Sequence, residues 1–171
     1  MRCEECGFDW DGEPIGIGTF ADRFAKPLTR FLKNEDANVV LRARPEPAVW
    51  SALEYVAHTR DALAFYVDRI RRVLTEDRPR MTKVDFDDLC VDRGYNSADP
   101  AQTAAELGAV ERELVDQLAD LTPAQWARVG IGSDGDERTV LALARRAAHE
   151  GNHHLLDVGR VLRRVRQTLE R

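Results

Sequence analysis

The stretch Thr139–Leu169, TVLALARRAAHEGNHHLLDVGRVLRRVRQTL, constrains the fold more than any other part of this 171-residue chain. It contains no proline. Leu141, Ala144, Ala148, Gly151, Leu155, Val158 and Leu162 recur along it at the spacing of one helical face. A long helix with one apolar stripe has to bury that stripe against other helices. Thr139 suits the N-cap. Gly151 costs about 1 kcal/mol against alanine inside a helix, and its place on the stripe predicts close approach of a neighbouring helix.

Three further stretches have the same period. The second helix is expected from about Pro47 to Leu74, with Leu53, Val56, Leu63, Val67, Ile70 and Leu74 as its stripe. The third covers about Ala101–Leu121, with Leu107, Val110, Leu114, Val115 and Leu118 inward. The first begins near Pro14 and carries Phe20, Phe24, Leu28, Phe31 and Leu32, with Pro27 predicting a kink or a late start. Thr122-Pro123 opens a short helical turn through Trp126, and Gly130–Asp136 marks a loop or tight hairpin. The connection Thr75–Pro100 is long enough to carry the chain between bundle ends and to roof a pocket. The expected fold is therefore all-α, a four-helix bundle over residues 14–171 with a long crossover connection. An irregular N-terminal segment with a CxxC motif, residues 1–13, precedes it.

Composition excludes several classes of partner. Hydrophobic residues make up 43% and charged residues 32%, as in ordinary globular domains. No apolar run approaches the roughly 20 residues of a membrane span, and the polar, acidic start lacks the features of a secretory signal. A cytoplasmic protein without membrane partners is expected. The net charge of -5 argues against a nucleic-acid binder. The arginine-rich end, Arg160, Arg163, Arg164, Arg166 and Arg171, reads as charge complementing a helix C-terminus. The expected partner is a small-molecule substrate, and a homodimer is compatible with the sequence.

Four histidines carry the functional signal. His149 and His153 are four residues apart and share one helical face. Two imidazoles so placed can hold one first-row metal ion, and His58 on the second helix offers a third. Three protein ligands leave an open position, as a catalytic metal requires. Periodicity alone gives a different account: all three histidines fall off the main stripes, where solvated side chains belong. Trp50 and Phe65 lie on the same face as His58, and two large aromatics there point to a second buried surface or a cleft. Glu54, one turn before His58, is the candidate catalytic carboxylate, placed to hydrogen-bond a ligand histidine or a metal-bound water. Glu150 and His154 form a rival pair at the same spacing, and Asp157 is positioned to orient His153 or His154.

Cys3 and Cys6, followed by Gly7, have the spacing of half a zinc knuckle. A structural ion needs two more ligands, so free thiols are the alternative reading. Cys90 reads as a small buried apolar residue.

The chain resembles the DinB-like four-helix-bundle metalloproteins, the superfamily that contains mycothiol-dependent maleylpyruvate isomerase and bacillithiol transferases. Three blocks carry the resemblance: Arg44-Pro45 with Val49–His58, Asp92–Asn96 through Asp99-Pro100, and Trp126, Gly130 and Ser133–Gly135 with His149–Val158. The resemblance implies a bundle with a crossover and a divalent metal, zinc or nickel, on His58, His149 and His153. Because some relatives use a glutamate on the last helix, Glu150 with His154 stays open as the alternative pair. The implied activity is that of a thiol transferase or isomerase, in which a low-molecular-weight thiol such as mycothiol attacks a small electrophile. A metal-dependent hydrolase and a non-enzymatic metal-binding or interaction module are the alternatives on the same fold. Arg44, Arg60 and Arg145 are candidates for pairing with an acidic substrate.

Overall fold

The computed structural model describes residues 1–169; Arg171, counted above with the arginine-rich end, lies outside them. Its four long helices are α1 (Phe20–Thr29), α3 (Ala52–Thr75), α5 (Pro100–Leu118) and α7 (Val140–Leu169). Helix α3 packs against α5 and α7, and α1 closes the ring by packing against the same two. The core between them includes Phe20, Phe24, Leu53, Val56, Leu63, Ile70, Leu107, Leu114, Leu143 and Val158. No helix among the described residues is long and apolar enough to cross a membrane.

The long helices begin where backbone donors find acceptors. Helix α3 starts at Ala52, not Pro47, because Ser51 and Glu54 form a capping box: the Glu54 amide donates to Ser51 Oγ at 3.2 Å and the Ser51 amide to Glu54 Oε2 at 2.7 Å. Helix α1 starts at Phe20, not Pro14, because Gly16 and Gly18 hold φ near +97° and +92° and turn the chain. Its first free amides are served from another helix. Glu111 of α5 accepts from Gly18, Phe20 and Ala21 at 2.7–2.8 Å. Thr139 caps α7 as expected, accepting from the Ala142 amide at 3.0 Å.

The polar stretch before α3 contains a short helix that periodicity does not reveal, α2 (Ala37–Arg42), nucleated by Asp36 as N-cap. The long connection after α3 holds α4 (Phe86–Asp92) and a 3-10 turn at Tyr95–Ser97. Buried Asp61 of α3 fastens it, accepting from Tyr95 Oη at 2.5 Å and Arg93 at 2.9 Å. Past α5, α6 (Pro123–Trp126) leads into a hairpin of β1 (Val129–Ile131) and β2 (Glu137–Thr139), antiparallel with Val129 opposite Thr139.

Gly151 lies against Phe20 of α1. A Cβ there would sit 2.4 Å from the ring, so the glycine sets how closely α1 and α7 approach.

Candidate metal centre

Consecutive residues on a helix point about 100° apart. On α7 this makes two adjacent donor rows: His149 with His153, and Glu150 with His154. The packing of α7 on α3 turns the second row towards His58. His58 Nε2 lies 3.0 Å from His154 Nε2 and 3.3 Å from Glu150 Oε2, and the last two are 3.2 Å apart. The expected set of His58, His149 and His153 does not converge among the described residues; His58 groups with Glu150 and His154, the alternative pair. The rotation of α7 about its axis decides this, and a one-residue offset in the chain separates the two outcomes.

The triangle fits one metal ion. Donors bound tetrahedrally at 2.0–2.1 Å stand about 3.3 Å apart, close to the separations found. The chemistry of the set, two imidazoles and a carboxylate, suits a divalent ion with one position left open. Asp157 Oδ2 lies 3.0 Å from His154 Nδ1, an outer carboxylate that orients the ring with Nε2 towards the cluster.

The protonation states reflect this geometry. Burial disfavours a charged His154, but Asp157 and Glu150 outweigh it and raise its pKa to about 9. Burial by itself would raise the Glu150 pKa; hydrogen bonds from His154 and His58 instead hold it far below the usual carboxylate range. Burial pushes the His58 pKa down, partly offset by Glu150. His58 is walled by aromatic rings, with Trp50 at 5.0 Å and Phe86 of α4 edge-on at 4.7 Å between centroids. The long connection thus roofs this part of the bundle.

Glu54, expected as the catalytic carboxylate, is bound up in holding the chain together. Arg44 donates to both of its oxygens at 2.8 and 2.5 Å, and the Ser51 amide donates to Oε2 as well. The arginines expected to meet an acidic substrate are similarly engaged. Arg44 holds Glu54, Arg60 pairs with Asp61 and Glu106, and Arg145 donates to the carbonyls of Gly12 and Asp11.

Other arginines line a cleft further along α7, towards its N-terminal end. This cleft, of about 190 Å³, is bounded by Tyr66, Arg69, Arg138, Leu143, Arg146 and the Gly132–Asp134 turn. Arg146 is one turn before Glu150 on α7. Burial, reinforced by the charge of Glu150, pushes the Tyr66 pKa up to about 12, so its hydroxyl stays a proton donor. The helical spacing of Arg146 to Glu150 was legible in the chain; the contributions of Tyr66 and Arg69 depend on the α3–α7 register.

The other donor row of α7 meets the N-terminal segment. Cys3, Cys6, His149 and His153 offer donor atoms that all lie within 4.8 Å of one another, with Cys3 Sγ 3.7 Å from His153 Nδ1. Backbone amide donation from Cys6, followed by the His149 ring, lowers the Cys3 thiol to about 6. Cys90 is buried in a separate cluster with Ala57 and Tyr95, where burial raises its thiol to about 11.

A family model described as the DinB superfamily matches residues 35–158. The fold is also that of YfiT from Bacillus subtilis, described as a probable metal-dependent hydrolase with an unusual four-helix bundle topology. That match has a TM-score of 0.77 at 18% identity, covering 86% of this chain and 82% of that one. No curated protein matches the chain.

Proposed function

The chain belongs to the DinB superfamily, and on that premise we propose that it is a metal-dependent enzyme. His58, Glu150 and His154 hold a divalent ion, zinc or nickel, and the substrate is a small anionic electrophile. The observation that carries this reading is the triangle of His58 Nε2, Glu150 Oε2 and His154 Nε2, with sides of 3.0–3.3 Å.

When bound, such an ion supplies Lewis-acid chemistry, stabilising a thiolate or hydroxide and the negative charge that develops on a substrate. The remaining work falls to the chain. Asp157 keeps the proton of His154 on Nδ1. Trp50 and Phe86 exclude water from the His58 side. Arg146, one turn before Glu150, favours a carboxylate or similar anion in the cleft it lines with Tyr66, whose hydroxyl offers a hydrogen bond. The preferred reaction is attack of a low-molecular-weight thiol, mycothiol or a relative, on that electrophile, giving transfer or isomerisation.

Hydrolysis is the second reading. The description of YfiT as a probable metal-dependent hydrolase favours it, because the same three donors serve water as well as a thiol.

The first test is metal analysis of the full chain purified without a histidine tag. His58→Ala and Glu150→Ala each remove one ion per chain on this reading; unchanged metal content in both overturns it. Turnover of anionic electrophiles by the loaded protein, with and without mycothiol, then separates transferase from hydrolase. A loaded protein inert in both assays is instead a metal-binding module.

A further inference from the structure

The triangle uses one donor row of α7 and leaves the row beside it unexplained. We propose that Cys3, Cys6, His149 and His153 form a second metal site, a closed tetrahedral zinc centre that clasps the N-terminal segment onto the last helix. This proposal does not depend on the function proposed above. The matched family region begins at residue 35, beyond both cysteines.

Four observations carry it. The first is the donor set. Two thiols and two imidazoles with all four donor atoms inside 4.8 Å are the ligands of a Cys2His2 zinc site. Four protein donors leave no open position, which marks a structural ion.

The second is the local backbone. Residues 1–10 form a small knuckle, with the Cys3 amide bonded to the Phe8 carbonyl at 2.9 Å and the Gly7 amide to the Cys3 carbonyl at 2.9 Å. Arg2 bridges Asp9 as in an antiparallel pair. Gly7 has φ +74°, which permits the tight turn after Cys6. This turn brings two cysteines at CxxC spacing to one point.

The third is the orientation of the histidines. His153 turns Nδ1 to Cys3 Sγ, while its Nε2 lies 3.6 Å from Asp157 and 3.9 Å from Glu5. A metal-bound imidazole commonly has a carboxylate on its far nitrogen. His149 Nε2 is buried with no hydrogen-bond partner among the described residues, and such a nitrogen is costly unless something binds it.

The fourth is the way the segment is seated. Trp10 packs on the His149 ring at 4.4 Å and Phe8 meets it edge-on at 5.6 Å. Arg145 holds the carbonyls of Gly12 and Asp11 at 2.8 Å, and Arg160 reaches Glu5 at 3.0 Å. One face of α7 is thus fitted to this knuckle over several turns. A segment of this size has too little core to hold its own shape, and an ion commonly supplies the missing stability.

The experiment uses the untagged full chain, purified under reducing conditions and reconstituted with cobalt(II) as a probe and with zinc for counting. Cobalt bound by thiolates gives an intense sulfur-to-metal charge-transfer band in the near ultraviolet; nitrogen and oxygen donors do not. The wild type is expected to show that band and to bind two zinc ions. Cys3→Ser/Cys6→Ser loses the band and one ion. His58→Ala keeps the band and loses the other ion, so failure of this proposal is distinguishable from failure of the metal centre at His58. Hydrogen exchange at residues 3–10 should rise in the double serine variant while the bundle helices keep their protection. A wild-type cobalt spectrum without the charge-transfer band overturns the proposal, and needs no variant to fold. A Cys3–Cys6 disulfide in the reduced preparation overturns it equally.

Discussion

His153 and His154, neighbours in the chain, stand with ring planes 86° apart and centroids separated by 5.4 Å, each turned into a different donor cluster. His154 faces His58 and Glu150; His153 faces Cys3. Asp157 lies between them, 3.0 Å from His154 Nδ1 and 3.6 Å from His153 Nε2. One helix thereby presents two sets of donor groups, and one carboxylate borders both.

Asp157→Ala removes the carboxylate that orients the His154 ring. Outer carboxylates of this kind contribute about 10–100-fold in metal affinity. A loss in that range at the His58 centre is expected, measured by competition with a chromophoric chelator, with helix content unchanged. Wild-type affinity in this variant would show that His154 needs no such support.

Glu54→Gln separates a structural from a catalytic role. The carboxylate caps α3 and neutralises Arg44, so its loss should lower unfolding stability by about 1–3 kcal/mol in urea titration. Bound metal at the His58 centre should stay at the wild-type level. A variant of full stability but altered metal content would restore Glu54 to the site.

Metal affinity should rise with pH. In the metal-free protein the His154 pKa is raised from 6.5 to about 9: burial opposes the charge, and Asp157 and Glu150 prevail. Its proton therefore stabilises the metal-free fold fully below the unfolded value of 6.5, and that contribution is lost as pH climbs through about 9. An ion requires the neutral ring, so affinity should increase by up to about tenfold per pH unit across this window and level off above it. Titration calorimetry at several pH values in matched ionic strength checks this; a flat profile would remove His154 from the ligand set.

Gly151→Ala tests how closely α1 and α7 approach. Alanine improves helix propensity by about 1 kcal/mol, yet its Cβ would lie 2.4 Å from the Phe20 ring. Overpacking of this kind typically costs about 1–3 kcal/mol, so net destabilisation is expected in thermal or urea unfolding. A stabilised variant would mean that α1 moves away freely.

The all-α architecture can be read from the chain alone, because the stripes of α3, α5 and α7 are periodic over many turns. The N-cap of α7 at Thr139 and the short turn at Pro123–Trp126 were legible for the same reason: capping and proline chemistry act within a few residues. The helices α1 and α3 start later than periodicity places them, because their starts depend on Glu111 from a distant helix and on a capping box inside the expected span. The donors His58, Glu150, His154, His149, His153, Cys3 and Cys6 were all visible as residue types at suggestive spacings. Their grouping was not. Spacing along a helix shows which residues share a face, but the rotation and register of α7 against α3 and the N-terminal knuckle decide what each face meets. Only packing between segments far apart in the chain sets that rotation, so the tertiary structure assigned the two rows of α7 to two different clusters.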